Sequence, residues 1–160
     1  MILIMDVQYG ETNCAAGLVY DSWDSKNPRA STRVSIGTVG EYVPGEFYRR
    51  ELAPLLEVVK QFSPATLVID GYVQLPERPG LGRHLHDATG LPVLGIAKKR
   101  FLGVPDSWGV LRGKSEKPLW VTAIGVDNPL EIVRDLPGKH RRPDWVVAVD
   151  QLARGYSISG

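Results

Sequence analysis

The sequence predicts an α/β fold built on a mixed sheet with helices on its faces, and three observations predict it. Short β-type runs separated by polar turns fill the N-terminus, the apolar period becomes helical after Pro44, and two continuous apolar runs, "ATLVID" and "LPVLGIA", flank a helical segment. Three antiparallel strands followed by parallel strands, with helices between them, make such a sheet.

Met1 to Val7 reads as the first strand, closing on Asp6-Val7, and "NCAAGLVYDSW" and "RVSIGTVG" as the next two, separated by the polar turn "DSKNPRAS". Tyr48, Leu52, Leu55, Leu56 and Val59 then recur at helical spacing, with Pro44 near the start and Ser63-Pro64 at the end. "ATLVID" is a buried strand ending at Asp70-Gly71, "GLGRHLHDATG" a short helix, and "LPVLGIA" a second buried strand running into Lys98-Lys99-Arg100. "PLWVTAIGV" is a late strand, "PLEIVRDL" a short helix, and "PDWVVAVDQLAR" a closing helix with Trp145, Val149 and Leu152 on one face.

With 160 residues and 43% hydrophobic content, the chain is expected to form a single domain spanning 1–160. Its 19 Lys+Arg against 18 Asp+Glu leave a formal charge of +1, so nucleic-acid binding would need a local basic patch rather than a global field. One cysteine, Cys14, excludes an internal disulfide and a cysteine-based zinc cluster. "MILIMDVQYG" is too short an apolar run for a signal peptide, and no stretch approaches a membrane span. A cytoplasmic monomer without membrane contact is the expectation.

Asp6 closes an apolar strand, and Asp70 sits at the C-terminal end of another, where open α/β sheets place their ligands. At about 100° per residue, Glu51 lies roughly 80° from the apolar centre of its helix and Glu46 roughly 140°, so Glu51 borders the core and Glu46 faces water. Carboxylates from separate elements at core margins, without a His or Cys cluster, suit a hard divalent cation. Singly, each has a bland alternative as a turn residue, a helix cap or a dipole partner.

Four stretches carry a resemblance across nearly the whole chain: "MDVQY", "YVPGEFYRRELAPLL", "LVIDG" and "PVLGIAKKRFLG", with "KPLWVTAIG" as a weaker fifth. Together they resemble endonuclease V, a family of inosine-directed nucleases with a ribonuclease H-like fold. The resemblance implies that Asp6, Glu51 and Asp70 bind Mg²⁺, with Mn²⁺ as a substitute. It implies that Tyr42, Val43 and Pro44 form a strand-separating wedge, and that Lys98 is the active-site lysine. The expected reaction is hydrolysis of a phosphodiester on the 3′ side of inosine in DNA or RNA. Base recognition is expected in the glycine-rich loop after Asp70, with Gly71, Tyr72 and Gly80, and nucleic-acid contacts at Lys99 and Arg100.

Two departures from the family pattern carry alternatives. Tyr72 stands where the family has histidine, and Leu75-Pro76-Glu77-Arg78 replaces its His-Pro-Arg-Arg. After the late strand, where the family has Gly-His, the chain reads Ile124-Gly125-Val126-Asp127; Asp127 is either a fourth metal carboxylate or the cap of the helix beginning at Pro129. A nuclease of this fold with another lesion or structure preference, or a binding module that does not cut, is the competing reading. "GKHRRPDW" is either a phosphate track or a solvated loop, and Asp150 is read as facing water. Cys14 and Ser107 have no base partner visible in sequence, which leaves covalent catalysis without support.

Overall fold

The computed structural model describes residues 1–10, 13–36 and 47–156, excluding the side chains of 47–50. Strands β1 (Ile2–Gln8), β2 (Cys14–Tyr20), β3 (Ala30–Ser35), β4 (Thr66–Asp70), β5 (Val93–Ala97), β6 (Gly109–Val110) and β7 (Leu119–Ile124) form one sheet in the order β3-β2-β1-β4-β5-β7-β6. Helices α1 (Phe47–Lys60), α2 (Leu81–Thr89), α3 (Pro129–Asp135) and α4 (Asp144–Ala153) cover its faces.

β1, β2 and β3 form the expected antiparallel meander, and β4 and β5 run parallel to β1. The parallel run stops there, because β7 pairs antiparallel with β5 and β6 antiparallel with β7. Between Ala97 and Leu119 the chain holds a 3₁₀ turn at Asp106–Trp108 and the short β6, but no crossover helix to carry it back to the other end of the sheet. β3 begins at Ala30, earlier than the "RVSIGTVG" run suggests.

Alternation along the central strands distributes side chains between two cores. Ile2 and Ile4 of β1, Val68 of β4, and Leu94 and Ile96 of β5 pack beneath α3 and α4 with Trp145, Val146 and Val149. Leu3 and Met5, Leu67 and Ile69, and Val93 point the other way, onto Leu55 and Val58 of α1 and Leu85 of α2. Burial on both faces explains why these strands read as unbroken apolar runs. Trp145 anchors α4: its ring stacks on Tyr20 with centroids 3.9 Å apart, and its Nε1–H donates to the Ser25 carbonyl at 2.8 Å. Among the described residues no helix is long and apolar enough to cross a membrane.

Candidate active site

Met5 of β1 pairs with Ile69 of β4, so the next residues, Asp6 and Asp70, emerge side by side from neighbouring parallel strands. Both continue the series Ile4 and Val68 on the face covered by α4. A carboxylate at that point leaves water without leaving the core margin. Burial is the largest cause, and the Asp70 charge the next, of a rise in the Asp6 pKa from the usual 3.8 to about 7. The Val7 N–H, donating to Asp6 Oδ1 at 2.9 Å, opposes the rise, and Asp150 adds to it.

Lys98 follows directly on β5, whose Ile96 pairs with Asp70, and its Nζ lies 3.1 Å from Asp70 Oδ2. The Asp70 side chain is 16% exposed and that of Lys98 35%, so the pair is anchored in the protein and open at one side. Glu51 reaches the same place from α1: with Asp6 and Asp70 it lines a cleft of about 30 Å³ whose apolar walls are Met5, Val7, Leu55, Ile69 and Leu81. That volume is about the share of one liquid water molecule. Among the described residues no three His, Cys, Asp or Glu side chains converge closely enough to make a ready metal cage. The arrangement is still suited to Mg²⁺, which is commonly held by one or two carboxylates while waters and substrate phosphate complete its shell. The donors are hard oxygens, and a cation there would offset both the burial of the Asp6 carboxylate, the largest cause of its raised pKa, and the smaller repulsion from Asp70.

The family model described as Endonuclease V matches residues 1–126, most of the chain. The chain belongs to the endonuclease V family. The family is one of metal-dependent endonucleases, and that is the enzyme class to which the chain belongs. Endonuclease V of Thermococcus kodakarensis is 27% identical over 154 residues, covering 96% of this chain and 77% of that protein. Endonuclease V of Xylella fastidiosa is 37% identical over 97 residues, covering 59% of this chain and 40% of that protein. The crystal structure of endonuclease V from Streptomyces avermitilis superposes with a TM-score of 0.74 at 27% identity, covering 96% of this chain and 79% of that one. An endonuclease V D234N variant from Ciona intestinalis, in complex with a 23mer DNA containing an inosine followed by a ribo-adenosine, shares the fold with a TM-score of 0.78 at 18% identity. It covers 96% of this chain and 83% of that chain.

Several expected positions fall elsewhere in this member of the family. Asp127 follows the Ile124 end of β7, which pairs with Val93 at the start of β5, whereas Asp70 and Lys98 lie at the finishing ends of β4 and β5. The antiparallel course of β7 therefore puts Asp127 at the opposite end of the sheet, in a cleft with Trp23, Glu131 and Asp135, and excludes it from the Asp6–Asp70 centre. Asp150 replaces it as the neighbouring carboxylate. It does not face water as its sequence context suggests: its side chain is 13% exposed, its charge reaches Asp6, and Arg154 Nε lies 3.2 Å from it. The readable signal was its place four residues after Val146 and beside Val149 on the buried stripe of α4.

The loop after Asp70 folds back on itself through the Leu75 N–H donating to the Arg78 carbonyl at 2.9 Å, and a Gln74–Pro79 bridge. Gly71 turns out of β4 at φ 149°, a left-handed value that favours glycine, and a side chain at Gly80 would collide with the Tyr72 carbonyl. Leu75 to Arg78 face Phe101, Leu102 and Gly103 across a cleft of about 310 Å³. Arg100, expected to contact nucleic acid, is committed within its own loop: Nη2 donates to the Val104 carbonyl at 2.6 Å and pairs with Asp106 at 2.9 Å, and the guanidinium lies over Trp120. Lys99 is exposed. In "GKHRRPDW", Arg141 likewise donates to main-chain carbonyls, which answers the phosphate-track expectation against that residue. Tyr42, Val43 and Pro44 lie outside the described residues.

Proposed function

We propose that the chain is a divalent-metal-dependent endonuclease that hydrolyses a phosphodiester on the 3′ side of inosine in DNA or RNA. The observation that carries this reading is the pair Asp6 and Asp70 on adjacent parallel strands, with Lys98 ion-paired to Asp70 at the open side. Asp6, Asp70 and Glu51 are the residues that would hold Mg²⁺, or Mn²⁺ in its place, and Asp150 adds negative charge at their edge. When bound, such an ion supplies a nucleophilic water at neutral pH and offsets charge on the phosphoryl oxygens.

The chain's own residues account for the rest. Lys98 neutralises Asp70 in the absence of substrate and carries an ammonium that a phosphate oxygen can take over, a type of contact worth about 10²–10³ in rate when it meets developing charge. The apolar walls of the cleft, Met5, Leu55 and Ile69, limit water around the carboxylates. A base must leave its stack to be inspected, at a cost of a few kcal/mol that is smaller in single strands and at mismatches. The cleft between Leu75–Arg78 and Phe101–Gly103, in the loops that follow Asp70 and Lys98, is the place for that base, and Gly71 and Gly80 set the course of the loop on its first side. The Ciona intestinalis complex with inosine-containing DNA supports the choice of base.

Because Tyr72 and Leu75-Pro76-Glu77-Arg78 depart from the pattern that the resemblance leads to, a nuclease of the same fold with another base preference is the second reading. End-labelled DNA and RNA oligonucleotides carrying one inosine, beside inosine-free and other deaminated-base controls, separate the two in Mg²⁺, Mn²⁺ and EDTA. A cut confined to inosine strands and abolished by EDTA supports the first; equal cutting of another strand and none at inosine supports the second.

A further inference from the structure

The main chain that carries Lys98 is gripped from both sides by side chains remote in sequence. On one side the Tyr72 hydroxyl donates to the Lys99 carbonyl at 2.7 Å and accepts the Phe101 N–H at 3.1 Å. On the other, one Arg141 nitrogen, Nη2, donates to the Lys98 carbonyl at 2.6 Å and to the Pro118 carbonyl at 2.8 Å, while Nε donates to the Lys117 carbonyl at 3.0 Å. Four segments, after β4, after β5, before β7 and before α4, meet at these two residues.

This arrangement has its own small core. Ala97, Val104 and Trp120 form a buried cluster beneath the loop, with the Tyr72 ring and Trp108 packed against it. Behind Tyr72, the Val73 N–H donates to Thr122 Oγ1 at 2.8 Å and fixes the approach of the loop to the sheet. The ring is thus held by packing, and the hydroxyl is free to act as a two-way hydrogen-bonding staple. Without it the Lys99 carbonyl and the Phe101 amide would turn to water, and the strand end would gain rotational freedom just where Lys98 leaves it.

We infer that Tyr72 and Arg141 are positioning residues that clamp the Lys98–Lys99 main chain and thereby hold the Lys98 ammonium against Asp70. The inference rests on the proposed nuclease reading for its catalytic meaning, but the clamp itself is a property of the fold. A lysine on a four-carbon stem has many rotamers, and fixing its Cα and peptide planes narrows the volume its Nζ samples. Positioning errors of about 1 Å can cost on the order of 10²-fold in rate.

The test uses the full chain and Tyr72→Phe, which keeps the ring and its packing, with Arg141→Lys as a second variant that keeps the charge and loses the fork. Two readouts are made. The first is the rate at which a lysine-directed acylating reagent modifies Lys98, followed by peptide mass spectrometry with Lys60 and Lys139 as internal references; it needs no nuclease activity. Each variant is expected to raise Lys98 labelling about 3- to 10-fold relative to the references, with melting temperature little changed. The second is single-turnover cleavage of an inosine oligonucleotide, alone and in a Lys98→Ala background, with binding measured in Ca²⁺. Tyr72→Phe is expected to slow cleavage about 10-fold, to change binding less than 2-fold, and to cause no further loss once Lys98 is alanine.

Unchanged Lys98 labelling in both variants overturns the clamp. So does a slowing by Tyr72→Phe that is as large without Lys98 as with it, or wild-type cleavage by a variant whose Lys98 labelling has risen. If the wild type cuts no inosine strand, the nuclease reading fails separately, and the labelling result alone decides the clamp.

Discussion

Lys98 Nζ sits 3.1 Å from Asp70 Oδ2, an ion pair at the finishing ends of two adjacent parallel strands. The pair joins a cation that phosphate can claim to a carboxylate that metal can claim, so substrate and cofactor would each displace the other's partner. Lys98→Met removes the cation while keeping most of the stem. It is expected to lower single-turnover cleavage about 10²–10³-fold and to leave oligonucleotide affinity within a few-fold of wild type. Rapid-quench kinetics beside fluorescence anisotropy measure both.

Asp6 predicts a conflict between stability and function. Its folded-state pKa, about 7, exceeds the usual 3.8, chiefly through burial and then through Asp70. The folded state therefore binds more protons than the unfolded state between those values, and metal-free stability falls as pH rises through that window. Asp6→Asn removes the charge, so in EDTA at pH 8 it should be more stable than wild type by an amount on the order of 3 kcal/mol, with little difference at pH 3. Urea denaturation at the two pH values reads the effect.

Asp150 and Asp127 separate by position. Asp150→Asn alters the charge beside Asp6 and is expected to lower turnover about 10-fold or more, whereas Asp127→Asn, at the far end of the sheet, leaves turnover unchanged. Cleavage rates of the two variants at matched metal concentration make the comparison.

Arg112 is a structural counterpart to these site residues. It is 4% exposed, and its guanidinium donates to the carbonyls of Arg134, Leu136, Gly138, His140 and Arg141, tying the end of α3 to the loop that leads into α4. Arg112→Met leaves several of these acceptors unmet and should cost about 3 kcal/mol in urea denaturation.

Much of this organisation was legible in the residues. The two-sided burial of β4 and β5 wrote itself as unbroken apolar runs, and the charged residues that end them, Asp70 and Lys98, mark where the chain leaves the sheet. The direction of β7 was not legible, because an apolar strand reads the same in either sense and only the connection before it decides. That one ambiguity misplaced Asp127. Asp150 was hidden for another reason: an aspartate on an otherwise apolar stripe looks solvated until the helix is packed against β1 and β2. The carbonyl-directed roles of Arg100, Arg112 and Arg141 leave no local pattern, since their partners are main-chain atoms that tertiary folding brings to them.

The central claim is that Asp6 and Asp70 form a metal-dependent cutting site directed at inosine. Single-turnover cleavage of one inosine-containing strand, in Mg²⁺ and in EDTA, by the wild type and by Asp6→Ala and Asp70→Ala tests it most directly. The predicted result is a single metal-dependent cut on the 3′ side of inosine by the wild type, reduced at least about 10³-fold in both variants while binding persists. A cut that survives either substitution, or a wild type that binds inosine strands without cutting them in any divalent metal, would contradict the account.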